Sequence, residues 1–179
     1  MDAFQLVEQY RQGRRLFSGV DLKEQRLSGL LMSQARFDRA DFAHSCLTQA
    51  QLDGTSFCGA MLWRTRLDGA SLRRANLQRA LLIRSSLQAA NLQTACLDHC
   101  DLRLANLQRA NLEGASLQGA TLAYADLTGA SLRGADLTGA DLTGTDLTDT
   151  DLTAARLTNA LLPRHFSLSG DEAKTLVAL

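Results

Sequence analysis

Large apolar residues recur at every fifth position of this chain without a break. From Phe17 to Leu162, each step of five lands on leucine, phenylalanine or methionine; Phe17, Met32, Phe37, Phe42 and Phe57 are the only departures from leucine. Two residues before each of these sites, from Ala35 to Ala160, the chain has only alanine, serine, threonine or cysteine. The residue between is mostly Asp, Asn, Ser or Arg, and the second residue after the large one is often glycine, as at Gly114, Gly119, Gly129, Gly134, Gly139 and Gly144. Each repeat therefore reads small, polar, large apolar, polar, glycine.

A period of five suits neither an α-helix, which brings one face round every 3.6 residues, nor a plain strand, which alternates every two. Within a repeat, the first three residues can alternate inward, outward, inward as extended chain does, and the next two can form the centre of a β-turn. Glycine as the third residue of that turn fits type II geometry, where φ is positive. Straight edges joined by near-right-angle corners make the chain coil, and four corners close a square whose edges stack on the preceding coil. The large residues then form columns along one interior. The small residues share that space, where a bulkier side chain would overpack the core at a cost of about 1–3 kcal/mol. The pattern predicts an all-β solenoid of about seven coils, roughly 35 Å long at about 4.8 Å per coil. Its glycine-rich C-terminal half is expected to be the more regular.

Stretches such as Ala135-Asp136-Leu137-Thr138-Gly139 resemble the pentapeptide-repeat family, whose motif is a small residue, Asp or Asn, Leu or Phe, a polar residue and Gly. The resemblance covers about residues 15–162 and its phase never slips. It implies a right-handed quadrilateral β-helix; the handedness comes from the resemblance, and the square section rests on it more than on spacing. The segment Tyr10, Gly13, Arg15, Phe17 is similar to the lead-in of bacterial members.

A stacked solenoid needs its apolar ends covered. Asp2 followed by Gln5 resembles a capping box, Ala3, Leu6, Val7 and Tyr10 share one helical face, and Gly13 can end the helix. An amphipathic helix over 2–12 is expected, within a capping segment 1–14. Pro163 removes a ladder donor just after the last in-phase leucine and ends the coil. Ser169 with Glu172 gives a second capping-box pattern, and Ala173, Leu176 and Val177 an apolar face. The division expected is helix 1–14, β-helix 15–163 and a C-terminal helix 164–179. That last helix serves as a cap or, as the family resemblance implies, as a homodimer contact; without it the protein is a monomer.

Composition narrows the functions. Basic and acidic side chains each number 19, so net charge is zero and gives no overall pull toward nucleic acid or membrane. No apolar run approaches the roughly 18 residues of a membrane span, and charges at Asp2, Glu8, Arg11, Arg14 and Arg15 interrupt any signal-peptide core. Cys46, Cys58, Cys96 and Cys100 are too few and too irregular for a disulfide framework. A cytoplasmic protein is expected. Catalysis needs groups converging in a concave site, and flat convex walls offer none, so no enzyme activity, cofactor or metal is expected. His99 lies beside Cys96 and Cys100, but the repeat turns Cys100 inward and the other two outward. The repeated aspartates are read as bonding neighbouring backbone amides.

One wall stands apart. Around Leu62, Leu82, Leu102 and Leu122 the outward positions carry Met61, Trp63, Arg64, Leu81, Ile83, Arg84, Arg103, Leu104 and Tyr124. Met61 should stack beneath Leu81, and Trp63 beneath Ile83. The other walls carry mostly small and polar residues there. A contiguous apolar patch rimmed by arginine has the composition of an interface core, which points to a structural, protein-binding solenoid with a protein partner on this wall. Coverage by a terminal segment is the alternative occupant. Charge is also banded: residues 1–90 carry 13 basic and 8 acidic side chains, and residues 91–179 carry 6 and 11. A second reading follows from the resemblance, whose quinolone-resistance branch mimics DNA and binds type II topoisomerases such as gyrase. That role calls for an extended negative surface, which the basic first half lacks. Direct nucleic-acid binding ranks lower, with few exposed aromatics and no net positive charge.

Overall fold

The computed structural model describes residues 1–164, and between Leu16 and Leu161 they form one uninterrupted stack of coils. Parallel β-bridges join Leu16 to Arg36, Asp21 to Asp41, Arg26 to Cys46 and Leu31 to Gln51, and continue without a gap to Asp141 and Leu161. The offset is always four repeats, so each coil has four sides. We number the walls first to fourth from Phe17, Leu22, Leu27 and Met32. Each edge is a single bridge long, because a corner follows at once.

The repeat at Leu72 illustrates how the backbone is satisfied. Leu72 N–H donates to Asn91 O (2.7 Å) and Arg74 N–H to Gln93 O (3.0 Å), while Asn76 N–H reaches back to Thr55 O (2.9 Å). Ala75 N–H closes the turn on Leu72 O at 3.0 Å. Only the amide just after the large residue is left out of this ladder, and it points outward. In many repeats a side-chain oxygen takes it up. Asn76, Asn91, Asp126 and Asp136 accept from the amide two residues on, at 2.9–3.1 Å. Where serine holds that polar position, an aspartate of the coil below substitutes: Asp53 accepts from Arg73 N–H at 3.1 Å, and Asp98 from Gln118 N–H at 3.1 Å. The expected role of the aspartates is thus observed.

The interior is a dry column. Every large residue from Phe17 to Leu142 is buried, as are the small residues from Ala35 to Thr145. Phe17, Phe37 and Phe57 stack on the first wall at centroid distances of 5.4 and 5.5 Å, with Phe42 edge-on to Phe37 and Phe57. Inward hydroxyls find carbonyls: Thr65 donates to Phe42 O and Thr145 to Leu122 O, both at 2.8 Å. These bonds offset the desolvation of a polar group in an apolar core.

The corners correct one expectation. The third turn residue has positive φ whether or not it is glycine: Gly134 and Gly139 lie at 65° and 68°, while Arg64, Arg74, Arg79 and Arg84 lie at 52–59°. With the preceding residue at negative φ, this is the type II arrangement. The coil imposes it on the glycine-poor half as regularly as on the glycine-rich half. Local preference yields to ladder hydrogen bonds and core burial.

Helix α1, Ala3–Arg11, covers the first coil. The expected capping box forms between Asp2 and Gln5. Leu6 is fully buried in the core, and Ala3, Val7 and Tyr10 pack against it. Tyr10 Oη donates to Ser33 O at 2.9 Å, and Ala3 N–H to Gln25 Oε1 at 3.1 Å. Gly13 follows at φ 92°. The C-terminal helix expected over 164–179 lies outside the described residues, apart from Arg164.

Candidate functional site

The second wall presents three outward columns: the residue before each core leucine, the residue after it, and the corner. In two adjacent coils these hold Met61, Trp63, Arg64 and Leu81, Ile83, Arg84. Met61 and Leu81 form a β-bridge, and Arg64 N–H donates to Ile83 O at 3.0 Å, so the stacking read from the repeat is present. Met61, Trp63 and Leu81 are 41%, 39% and 42% exposed, and Ile83 is half-buried.

Trp63 is held from two sides. The His44 ring meets it edge-on at 4.8 Å, and the Arg64 guanidinium lies 5.1 Å from the indole centroid. Sequence reasoning did not single out His44. Corner side chains lean over the next coil: a Cβ added at Gly119 would fall 2.7 Å from His99 Nδ1, and one at Gly144 would fall 2.6 Å from Tyr124 Cε1. That lean, one coil onward, is the signal that pairs His44 with Trp63.

Beyond these two coils the expected site thins out. Arg103 is tied to Asp101 by two bonds, Nε to Oδ1 at 2.8 Å and Nη2 to Oδ2 at 2.7 Å, and Asp101 interrupts the Met61–Leu81 column. Leu104 and Tyr124, 48% and 64% exposed, continue along the corner column only. The structure therefore concentrates six of the nine expected residues and sets Arg103, Leu104 and Tyr124 at their margin. Elsewhere, Leu16 and Leu31 are exposed singly on the first and fourth walls. The hydrogen bonds of Met1, Ala3 and Tyr10 to the coils fall on Asp21, Gln25 and Ser33, so the N-terminal segment does not cover the patch.

Two further features mark these coils. On the same wall, the amides of Lys23, Ala43, Arg103 and Thr143 donate to Asp21, Asp41, Asp101 and Asp141 at 2.9–3.2 Å. Met61 and Leu81 replace that aspartate, and the amides of Trp63 and Ile83, like that of Ala123 behind Thr121, have no protein acceptor among the described residues. The patch is also rimmed by Arg64 and Arg84 at one corner and Arg79 at the other, none within ion-pair distance of a carboxylate among the described residues.

Among the described residues, the cysteines and histidines do not converge. Cys100 faces the interior and its thiol donates to Leu77 O at 2.7 Å, whereas Cys96 is half-buried on the outside and the His99 ring lies over Gly119. No helix among the described residues is long and apolar enough to cross a membrane.

The sequence matches the pentapeptide-repeat pattern, with 8 copies, over residues 16–54, 50–88, 85–123 and 125–162. The chain belongs to the pentapeptide-repeat family. Membership carries the right-handed sense of the quadrilateral β-helix, and pentapeptide-repeat proteins are in general non-enzymatic repeat proteins. No curated protein matches the chain. Among solved structures it is similar to HetL, a pentapeptide-repeat protein involved in heterocyst differentiation regulation in the cyanobacterium Nostoc sp. strain PCC 7120. The identity is 27% over 94% of this chain and 100% of that one, with a TM-score of 0.42. It is similar also to QnrB1, a plasmid-mediated fluoroquinolone resistance protein, at 20% identity over 84% and 85% of the two chains, TM-score 0.45. A pentapeptide-repeat protein of the Arabidopsis thaliana thylakoid lumen is 31% identical over 78% and 73%, TM-score 0.32.

Proposed function

We propose that this pentapeptide-repeat protein is a non-enzymatic interaction solenoid that binds a protein partner through its second wall. The observation that carries the reading is the contiguous surface of Met61, Trp63, Leu81 and Ile83. Its tryptophan is pre-positioned by His44 and Arg64. Contiguous exposed apolar surface rimmed by polar groups marks interaction sites. Tryptophan and arginine dominate binding energy at interfaces, and a side chain already ordered loses less entropy on association.

Replacing Trp63 and Ile83 together by serine leaves the core columns untouched. The double variant should melt within a few degrees of the parent and lose proteins captured by zero-length cross-linking. Unchanged cross-linked species would remove the second wall from consideration.

A second reading, a DNA-mimicking modulator of gyrase, draws on the stacked aspartates of the later coils, where Asp126 pairs across a β-bridge with Asp146. Its negative surface is confined to those coils. The second-wall reading expects gyrase supercoiling to proceed unchanged in the presence of the protein, and inhibition or protection of gyrase would favour the alternative.

A further inference from the structure

The chemistry of the partner can be read from what the patch leaves unmet, an inference that rests on the second-wall reading. Along this wall the outward amide is bonded by the aspartate before it in four coils, at Lys23, Ala43, Arg103 and Thr143, and is open at Trp63, Ile83 and Ala123. At Trp63 and Ile83 the aspartate is replaced by Met61 and Leu81, so two outward donors stand one above the other inside an apolar surface. A partner that covers Met61 and Leu81 also strips water from these amides. Burying a donor without an acceptor opposes association, so a fitting partner brings acceptors.

The rim makes the same demand. Arg64, Arg79 and Arg84 face no carboxylate among the described residues, and the cost of desolvating a guanidinium is best offset by an anion. Their placement is a second, independent observation. All three occupy corners of positive φ, at 52°, 59° and 55°, where an L-residue is strained and glycine or asparagine is easier. Four of the five corners from Arg64 to Arg84 are arginine, whereas from Gly114 to Gly144 all but Tyr124 are glycine. The coil imposes positive φ on every corner, so what sets this stretch apart is the choice of arginine there, which gathers positive charge around one surface.

We propose that the second wall, between Met61 and Arg84, binds an acidic segment of a partner polypeptide. Its apolar side chains lie on Met61, Trp63, Leu81 and Ile83. Its carboxylates and carbonyls accept from the Trp63 and Ile83 amides and from Arg64, Arg79 and Arg84. A nucleic-acid strand would also satisfy the arginines, but its phosphates gain nothing from a methionine and leucine column.

The test is selection from a random twelve-residue peptide display library on the full-length protein. Selected peptides are read by emission of Trp63, the single tryptophan of the chain. Enriched peptides should pair Asp or Glu with Leu, Phe or Trp, shift Trp63 emission, and weaken at least tenfold between low and physiological salt. Two variants separate the contributions. Arg64→Asn with Arg84→Asn keeps residues tolerant of the corner, and should preserve melting while weakening binding at least tenfold. Met61→Asn with Leu81→Asn restores the side-chain acceptor found at Asn76 and Asn91, and should preserve or raise melting while abolishing binding. Neutral apolar peptides that need Trp63 but not the arginines would overturn the acidic assignment and leave the second-wall reading standing. Peptides indifferent to Trp63→Ser with Ile83→Ser, or no enrichment, would overturn both. Binding of duplex DNA, or a concentration-dependent dimer, abolished by the arginine pair would replace the peptide by that occupant.

Discussion

At the scale of single residues, the outward positions are shaped by one unpaired amide per repeat. Asp or Asn ahead of the large residue accepts it, which is why those residue types recur and why their repetition signals a backbone need rather than a ligand site. Three of the cysteines show how strongly local surroundings govern chemistry. Hydrogen bonds from the Ser28 and Thr48 hydroxyls, at 3.1 and 3.2 Å, and the nearby Arg66 charge lower the Cys46 thiol below its ordinary value against the opposing effect of burial. Burial raises Cys96 and pushes Cys100 up to about 12. Thiolate is the reactive form, so iodoacetamide near neutral pH should label Cys46 ahead of Cys96, and Cys100 only on unfolding. Native-state labelling of Cys100 at the rate of Cys46, read by peptide mass analysis, would contradict its inward placement.

At the scale of the element, a coil is four corners held to one geometry by its neighbours. Gly134 sits at φ 65° with nothing within 4 Å of a would-be Cβ, so Gly134→Ala isolates the conformational cost. A loss of about 1 kcal/mol in chemical denaturation is expected from backbone strain alone. No loss would mean that the corner relaxes. The corners also bound what the sequence could tell. The step of five from Phe17 to Leu162 made the core legible column by column, since size and phase alone determine which side chains face inward. Glycine frequency was a poor guide to regularity, because the ladder bonds of Arg74, Arg79 and Arg84 hold non-glycine residues in the same conformation. On the second wall, stacking of Met61 with Leu81 followed from register. The His44–Trp63 contact did not, because it depends on the lean of corner side chains. The open amides at Trp63 and Ile83 required knowing which donor the ladder omits.

At the scale of the whole molecule, stability is spread along the stack, each coil bonding only to its neighbours. Several aspartates couple that stack to pH. For Asp126 and Asp136 burial acts to raise the pKa, but bonds from Thr128 and Gln108, and from Thr138, Gln118 and the Arg156 charge, outweigh it and hold both below the ordinary value. Asp151 is lowered chiefly by the Thr153 hydroxyl. A carboxyl depressed in the folded state contributes stability that is fully present above its unfolded pKa and lost as pH falls through the folded one. Melting temperature should therefore be flat from about pH 8 to pH 5 and decline below about pH 4, with Asp136→Asn reducing the decline. A melting temperature that rises on acidification would contradict these bonds.

The central claim is that every fifth side chain from Phe17 to Leu142, with the small residue two before it, faces one shared interior while the other three of each repeat face outward. The most direct measurement is the thermal melting of two variants that place the same new side chain two residues apart in one repeat. Leu107 is fully buried and Arg109 is an exposed corner. Leu107→Asp buries a carboxylate without a partner, and a loss of about 3–5 kcal/mol or of the cooperative transition itself is expected. Arg109→Asp should melt within a few degrees of the parent. Equal melting of the two variants, or an undisturbed Leu107→Asp, would contradict the shared interior and the walls built on it.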